Sequence, residues 1–396
     1  MPEHLDARIR ARLAALREAN LERTLQPPSG IDLSSNDYLG LSRHPRLTEA
    51  MANAALRDGV GSTGSRLLRG HRTAFADVES RFAAFKGAER ALYFSSGYLA
   101  NIAVLTTFGE SGDVICSDER NHASLIDACR LSRAQRVIFP HNDADVVEHE
   151  VRLKADTTYG HRFILVESLF SMDGDIAPLE RYADICRRSG ATLVVDEAHA
   201  VGVYGTRGSG LLEGLELDAN SCISINTAGK ALGVSGAFVA GPAWAIEYLI
   251  QRARPFIFST APPPAVAAAL SASLDVVEAE PERRTRLANR VARLHDALEA
   301  HGMALPCRRS HIVPIVLGDN ERALAVAAAL QAEGFDVRAV RPPSVPEGTA
   351  RLRISVNAGL EDDAIDRFAA ALARVFREIV LTSASSASSV VESFPA

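Results

Sequence analysis

Seven short apolar runs between residues 90 and 241 constrain the fold of this 396-residue chain more than any other feature. Several are apolar on consecutive residues, which is typical of strands buried on both faces of a sheet. Helical stretches such as LERYADICRRSG (179–190) separate some of the runs, and this alternation predicts an α/β fold with a mainly parallel central sheet. The runs are ALYF (91–94), DVIC (113–116), RVIF (136–139), RFILVES (162–168), TLVVD (192–196), CISI (222–225) and GAFVAG (236–241).

The length of the chain favours one large domain with a smaller companion. After the Pro-rich STAPPPAV (259–266), long helical stretches and further apolar runs follow in a βαβ-like order, which predicts a small α+β domain. The last residues are rich in Ser and Ala, so we expect them to be disordered. We therefore predict an N-terminal helical arm (1–45), a large α/β domain (46–270), a small C-terminal α+β domain (271–381) and a disordered tail (382–396).

The N-terminal arm contains a predicted amphipathic helix. Four apolar residues lie on one face of it with arginines around the rest, at Leu5, Ile9, Leu13 and Leu16. We expect this face to pack on something else, for which a partner subunit is a candidate. Residues 151–162 (VRLKADTTYGHR) resemble a surface insertion.

Charge and cysteine content disfavour several classes of protein. The formal net charge is -6 and no long basic run is present, which disfavours nucleic-acid partners and anionic membrane surfaces. The five cysteines include no CxxC pair, so we expect neither a disulfide framework nor a zinc site. No signal-peptide core and no apolar stretch of membrane-spanning length is present, and we predict a cytoplasmic protein.

Polar residues after the apolar runs are the candidates for a site, because parallel α/β sheets bind ligands beyond the carboxyl ends of their strands. In TLVVDEAHAVGVYG, Asp196 ends a buried run and His199 follows it. A carboxylate there suits the protonated ring nitrogen of pyridoxal phosphate (PLP), and His199 could bond the phenolic oxygen of the ring. By itself, the motif fits an aspartate that caps a turn equally well.

Lys230 follows another run, in CISINTAGKALGVSG. A lysine in a confined site can form an imine with an aldehyde, since burial lowers the pKa of the ammonium group and frees the amine. Thr227 is placed to reach a phosphate oxygen. Most lysines lie in solvent, but three small neighbours would let a bulky ligand approach the backbone here, namely Gly229, Gly233 and Gly236.

Two more run ends carry candidate residues. Ser95, Ser96 and Gly97 link a strand to a helix, whose first N–H groups can bind phosphate. His122 lies between a strand and a helix, where a flat imidazole could stack on an aromatic cofactor. Taken alone, the first fits an ordinary capped helix, and the second fits a capping or core histidine.

Competing motifs give the alternatives outside PLP enzymes. Residues 196–199 spell DEAH, as in nucleotide-binding helicases, but no phosphate loop GxxxxGKS/T lies upstream. The DGD at 173–175 resembles a calcium site, but the remaining ligand spacing is absent. No GxGxxG follows a predicted strand, which disfavours a nicotinamide dehydrogenase. A DEAH-type nucleotide-binding protein is the first alternative and a non-catalytic scaffold the second.

Seven stretches, in this order and spacing, resemble signature stretches of the α-oxoamine synthases, which are PLP enzymes of the aspartate-aminotransferase fold (fold type I). The resemblance extends from Asp32 to Asn357 and implies a mostly parallel seven-stranded sheet, a PLP-binding large domain and a homodimer with shared active sites. The stretches are SSNDYLGLSRHP, GSTGSRLLRGHRTAFADVESRFAAFKG, SSGYLANIAVL, NHASLIDACR, FSMDGDIAPL, VDEAHAVGVYG and RPPSVPEGTARLRISVN.

The resemblance implies a role for each residue around the cofactor ring. Lys230 would form the Schiff base with PLP and later move the α-proton of the substrate. Asp196 would pair with the pyridine nitrogen and His199 would bond the phenolic oxygen. His122 would stack on the ring face, and Ser171 would lie near the ring oxygen.

The resemblance also implies contacts to the cofactor phosphate and to the amino-acid substrate. Asn36 and Arg353 would hold the substrate, with the guanidinium of Arg353 gripping its carboxylate as a planar fork. Arg341 is a further candidate for the same pocket. The phosphate would be surrounded by Ser96, Gly97, Tyr98 and Thr227 and, from the neighbouring subunit, by Ser259 and Thr260.

The implied activity is that of an acyltransferase, a decarboxylating condensation of an amino acid with an acyl thioester. The stretch between Gly61 and Gly70 favours the biotin-pathway branch, which joins L-alanine to a pimeloyl group on CoA or an acyl carrier. The rival branches are the 2-amino-3-ketobutyrate CoA ligases, the 5-aminolevulinate synthases and the serine palmitoyltransferases. The sequence departs from the family at Ala228, where an aromatic residue is more common.

Overall fold

A computed structural model of the chain describes residues 4–153, 160–215, 217, 222–303, 305 and 310–381. The predicted tail (382–396) and residues 154–159 of the predicted insertion lie outside the described residues. The strands are β1 (Ile31–Asp32), β2 (Arg90–Phe94), β3 (Val114–Asp118), β4 (Gln135–Phe139), β5 (Arg162–Glu167), β6 (Thr192–Asp196), β7 (Cys222–Thr227), β8 (Ala237–Gly241), β9 (Ile312–Gly318), β10 (Phe335–Asp336), β11 (Ala339–Val340) and β12 (Ala350–Ser355).

The helices account for most of the remaining described chain. None of the described helices is both long enough and apolar enough to cross a membrane. They are α1 (Leu5–Glu18), α2 (Pro45–Asp58), α3 (Thr73–Lys86), α4 (Gly97–Phe108), α5 (Ala123–Leu131), α6 (Ala144–Leu153), α7 (Leu179–Ser189), α8 (Ala243–Arg252), α9 (Arg254–Ile257), α10 (Pro264–Ala279), α11 (Glu282–Ala300), α12 (Asn320–Ala332) and α13 (Asp362–Phe376), followed by a π-helical turn at Arg377–Leu381.

The chain divides into two compact units. The first, which we call the sheet unit, comprises Asn36–Ser171 and Asp175–Arg286. The second, which we call the terminal unit, comprises the chain up to Ser35, Met172–Gly174 and the chain from Leu287 onward. The domain boundaries predicted after residues 45 and 270 stay predictions.

Seven strands form the central sheet of the sheet unit, in the order β2-β8-β7-β6-β5-β3-β4. All run parallel except β8, which is antiparallel to both of its neighbours, β2 and β7. The seven strands coincide with the seven apolar runs of the sequence. The predicted mostly parallel seven-stranded sheet is therefore confirmed.

Alternate residues of the central strands pack into two separate apolar cores, one on each face of the sheet. Ile115, Leu165 and Val194 belong to the core that includes α4, α5 and α8. Ile164 and Val195 belong to the core that includes α6 and α7. Because successive side chains of a strand point to opposite faces, a strand covered on both faces must be apolar on consecutive residues.

The carboxyl ends of the parallel strands meet at one edge of this sheet. Ser96 follows β2, His122 follows β3 and Ser171 follows β5. Asp196 is the last residue of β6, and Lys230 comes three residues after the end of β7. The edge therefore collects candidate residues that are far apart in the sequence.

The terminal unit carries two small sheets. In one, β12 pairs antiparallel with both β11 and β9, and in the other β1 pairs parallel with β10. Phe335 packs edge-on against Phe368 of α13. The unit is α+β as predicted. The expected βαβ-like order also holds, because β9 and β11, on either side of α12 in the sequence, are both antiparallel to β12 and so run in the same direction.

The predicted arm helix is α1, and its apolar face is exposed. The exposed fraction is 63% for Leu5 and between 39% and 43% for Ile9, Leu13 and Leu16. The structure thus contains the helix that the apolar spacing predicted. The packing of its apolar face on a partner subunit stays a prediction.

Candidate active site

Lys230 lies in the turn between β7 and β8, and its Nζ is 2.7 Å from Nε2 of His199. The turn is closed by backbone hydrogen bonds, one of which runs from Gly233 N–H to the carbonyl of Lys230 at 2.8 Å. Gly233 and Gly236 have φ of +67° and +78°, and a Cβ at Gly236 would lie 2.0 Å from the hydroxyl oxygen of Tyr93. The turn conformation and the crowding behind it therefore require these glycines, which the sequence analysis had attributed to ligand access.

Asp196 is buried at the end of β6. Its Oδ1 accepts the Ala198 backbone N–H at 2.8 Å, and its Oδ2 accepts from Nδ2 of Asn101 at 2.7 Å. Among the described residues, these hydrogen bonds come only from neutral groups. A carboxylate that is taken out of water and satisfied by neutral donors favours a cationic ligand atom beside it, which is what a protonated ring nitrogen would supply.

His122 caps the start of α5 and is linked to Asp196 through two side chains. Nδ1 of His122 accepts the Ser124 backbone N–H at 3.2 Å, so a neutral ring carries its proton on Nε2. Ser124 Oγ lies 2.8 Å from the same nitrogen and accepts from Asn101 Nδ2 at 2.8 Å. Burial lowers the pKa of His122, and Lys230 adds to this while the charge of Asp196 opposes it. A neutral, fixed and flat ring suits stacking on a cofactor.

Asn101 was missed by the sequence analysis. It joins Asp196 to Ser124, and its own Oδ1 is buried without a partner among the described residues. The signal was a single amide in the otherwise apolar stretch LANIAVL of α4. A polar group in a buried helix requires partners, and the two that Asn101 finds lie 23 and 95 residues away.

The start of α4 and Thr227 form a cradle for an anion. Ser96 caps the helix, with its Oγ accepting the Leu99 N–H at 3.2 Å, and Gly97 is the first helical residue. A Cβ at Gly97 would lie 2.5 Å from Thr227 Oγ1, so only glycine admits the hydroxyl this close to the free N–H groups. Free helix N–H groups beside a hydroxyl fit a phosphate. The Tyr98 hydroxyl donates to Asp127, and Tyr98 is 40% exposed, so its predicted place around the phosphate stays a prediction.

Glu167 is a second buried carboxyl group that the sequence analysis missed. It ends β5, and its Oε2 accepts the Ser171 N–H at 3.2 Å, while its Oε1 has no partner among the described residues. Burial raises the pKa of Glu167 to about 8, and the charge of Asp196 adds to this while Lys230 opposes it. At neutral pH the group therefore holds a proton, and it anchors the loop that carries Ser171 without adding a second charge beside Asp196.

Replacing Glu167 with glutamine tests this protonation state. In the unfolded chain the carboxyl ionises near 4.5, so between that pH and about 8 only the folded protein holds the proton. The free energy of unfolding of the wild type should therefore fall across this window, and Glu167→Gln has no such proton to lose. We expect the stability of the variant relative to the wild type to rise with pH in urea unfolding of the cofactor-free proteins. A difference that stays constant from pH 4.5 to 8 would contradict a protonated Glu167.

Three further predicted residues lie in the sheet unit. Oδ1 of Asn36 accepts from the hydroxyl of Tyr38 at 2.8 Å. Ser259 and Thr260 line a small cleft together with Ser95, and Thr260 also forms a β-bridge with Ser65. The contacts predicted for these residues with substrate and with the neighbouring subunit's phosphate stay predictions.

The two predicted carboxylate-binding arginines belong to the terminal unit. Arg353 is buried in β12, and its Nη1 donates to Ser355 Oγ at 2.7 Å. Arg341 donates through Nη2 to the carbonyl of Glu22 at 3.1 Å. Their roles in substrate binding stay predictions.

Comparison with known proteins gives one family. Residues 28–372 match the family Aminotransferase class I and II. The chain is 46% identical over 385 residues to an 8-amino-7-oxononanoate synthase of Anaeromyxobacter dehalogenans, and the alignment covers 94% of this chain and 96% of that protein. It is 48% identical over 348 residues to the protein of the same name from Burkholderia pseudomallei, and that alignment covers 86% of this chain and 88% of that protein.

Solved structures are similar over nearly the whole chain. A lysine-to-alanine variant of serine palmitoyltransferase from S. paucimobilis, with a bound PLP–myriocin aldimine, has a TM-score of 0.87 at 29% identity and covers 95% of this chain and 99% of that chain. An 8-amino-7-oxononanoate synthase from Francisella tularensis has a TM-score of 0.75 at 30% identity and covers 88% of this chain and 98% of that chain.

Proposed function

Because the chain belongs to the class I and II aminotransferases, and within them to the family of the 8-amino-7-oxononanoate synthases, we propose that it binds PLP on Lys230 and condenses L-alanine with a pimeloyl thioester. The observation that carries this proposal is a buried carboxylate, Asp196, satisfied by neutral donors on the sheet edge that also holds Lys230 and an anion cradle. A lysine, an acid and a phosphate cradle are what PLP requires of a protein.

The residues of the sheet unit match the parts of PLP in turn. When bound, the cofactor supplies an aldehyde that takes up amines and a protonated ring that withdraws electrons from the α-carbon of an amino acid. The Asp196 carboxylate would keep the ring nitrogen protonated, because an adjacent negative charge favours the charged form. His122 would cover the ring face. The first N–H groups of α4, with Ser96 and Thr227, would hold the phosphate.

Lys230 has a second task beyond holding the cofactor. With an amino acid bound at the cofactor, Nζ would be a free amine placed to accept the α-proton and later to return a proton to the product. The proposed condensation would join the α-carbon to the acyl carbon, with release of the thiol and of the carboxylate as CO2. Arg353 would grip that carboxylate as a planar fork, and Asn36 would orient the substrate beside it.

We further propose that the enzyme acts as a homodimer in the cytoplasm. Within the sheet unit, three large apolar side chains are exposed near the bridge between Ser65 and Thr260, namely Leu67 (50%), Leu68 (83%) and Phe258 (70%). Exposed apolar clusters of this kind are normally covered by a partner. Cys116, Cys129, Cys186 and Cys222 are free thiols, which fits a reducing compartment.

The serine palmitoyltransferase reaction is the second candidate, because the fold similarity to that enzyme reaches a TM-score of 0.87. The identity of 46% to 48% with the 8-amino-7-oxononanoate synthases favours the first candidate. Both candidates share the residues around PLP and differ only in the amino acid and the acyl chain. An assay of substrate choice therefore decides between them.

An assay of thiol release distinguishes the two candidate reactions. With pimeloyl-CoA, L-alanine should be preferred over glycine and L-serine by about tenfold or more in kcat/KM, since one methyl or hydroxyl group in a fitted pocket changes specificity by that order. Palmitoyl-CoA with L-serine is the parallel assay for the second candidate. Turnover with glycine or serine but not with alanine would refute the proposed substrate, while a protein that never becomes yellow with added PLP would refute the cofactor.

A further inference from the structure

Tyr38 stands behind His199 in a row of four side chains within the sheet unit. Its hydroxyl oxygen lies 2.6 Å from Nδ1 of His199, whose Nε2 lies 2.7 Å from Nζ of Lys230. On the other side, the same hydroxyl donates to Oδ1 of Asn36 at 2.8 Å. Tyr38 is fully buried. The row therefore runs from Asn36 through Tyr38 and His199 to Lys230.

Counting protons along the row fixes the state of His199. The Tyr38 hydroxyl has one proton, and Oδ1 of Asn36 can only accept, so that proton lies on the bond to Asn36. The contact between Tyr38 and His199 must then take its proton from Nδ1 of His199. A neutral imidazole with its proton on Nδ1 has a bare Nε2.

The other end of the row gives the same answer independently. A protonated Lys230 has donors only, so the His199 nitrogen at 2.7 Å from it must accept. That again leaves Nε2 bare and places the proton on Nδ1. The hydroxyl of Tyr38 is the acceptor that this arrangement needs, and because both rings are buried, a donor without that acceptor would be costly.

We propose that Tyr38 is a positioning residue of this site, which holds His199 in the Nδ1–H form so that a bare Nε2 faces Lys230. Its effect on Lys230 rests on the function proposed above. The bare Nε2 can take a proton from the Lys230 ammonium group. One N–H bond breaks at Nζ and one forms at Nε2, the positive charge moves to the imidazole, and Nζ is left as the neutral amine that reacts with an aldehyde.

The same proton movement changes what His199 offers to a ligand. Once protonated, Nε2 is a hydrogen-bond donor, which is the group that a negatively charged phenolic oxygen requires.

The protonation state of His199 can be read in the cofactor-free protein by NMR of 15N-labelled histidine. We expect Nδ1 of His199 to be the protonated nitrogen in the wild type, with the signal assigned by its loss in His199→Gln. In Tyr38→Phe, which keeps the buried ring, Nδ1–H loses its acceptor, so we expect the proton to shift toward Nε2, with Lys230 then accepting from it as the neutral amine. Protonation on Nε2 in the wild type, or an unchanged signal in Tyr38→Phe, would overturn the proposal whether or not the protein binds PLP.

Tyr182→Phe is the matched control. Tyr182 is also fully buried, and its hydroxyl has no hydrogen-bond partner among the described residues, so its loss should leave the His199 signal unchanged. With PLP added to the cofactor-free proteins, the yellow colour should develop about tenfold more slowly in Tyr38→Phe than in Tyr182→Phe, as expected for one lost hydrogen bond. Equal rates would overturn the effect on Lys230. A colourless wild type would instead count against the function proposed above, and the NMR result would still decide the role of Tyr38.

Discussion

Replacing Lys230 with alanine is expected to reduce turnover by about 10⁴-fold or more, the order found when a group central to covalent catalysis is removed. The variant loses the amine that we propose both binds the cofactor and moves the α-proton. Lys230 is only half-buried, so its truncation should leave the fold intact. We expect the variant to retain PLP through Asp196 and the anion cradle, but without the yellow colour of the lysine-bound cofactor.

The small number of lysines in the chain allows the lysine that binds PLP to be identified directly. The sequence contains three lysines, at positions 86, 154 and 230. Borohydride reduction of the PLP-loaded wild type should fix the cofactor to the peptide that contains Lys230, as read by peptide mass. Lys154→Ala is the matched control and should keep both colour and turnover. Appreciable turnover in Lys230→Ala, or PLP fixed to another lysine, would break the assignment.

Replacing Asp196 with asparagine is expected to lower turnover by about 10²-fold or more, since it removes the charge that we propose keeps the ring nitrogen protonated. The protein can accommodate the new amide. Asn101 Oδ1 is unpartnered among the described residues, so rotation of the Asn101 amide would present an acceptor to the new NH2 group. The loss should therefore appear in kcat and in PLP affinity, with little change in the unfolding midpoint.

The surface substitution Asp184→Asn is the control for Asp196→Asn. Asp184 pairs with Arg188 on the exposed side of α7, and such exposed pairs contribute little to stability. It should match the wild type in turnover, PLP affinity and stability. If Asp196→Asn bound PLP and turned over like this control, the pairing of Asp196 with the ring nitrogen would be refuted.

The central sheet could be read from the sequence because burial on both faces leaves a local signature. A run such as FILV within β5 must be apolar on consecutive residues, whichever strands lie beside it. The candidate residues followed from the same reading, since the carboxyl ends of parallel strands share one edge. Lys230, Asp196 and His122 were found in this way, and the structure places all three at that edge.

The direction in which strands pair was not readable in the same way. The C-terminal segment was predicted to be βαβ-like, and β9 and β11 do run in the same direction, but β12 lies between them and is antiparallel to both. A strand carries apolar residues in either direction, so its local pattern does not indicate which strand lies beside it or how that strand runs. The glycines near Lys230 show the same limit, because the groups that crowd Gly236 belong to residues such as Tyr93, more than a hundred positions earlier.

The sequence by itself determined the α/β fold and the strands and predicted the residues proposed to hold PLP, because each has a local signature in apolar runs and in the polar residues that end them. Only the tertiary structure decided which groups contact those residues. Asn101 meets Asp196 across 95 positions, and Tyr38 meets His199 across 161. A buried polar group is satisfied by whatever the fold brings to it, and no spacing within one segment specifies a partner at such a distance.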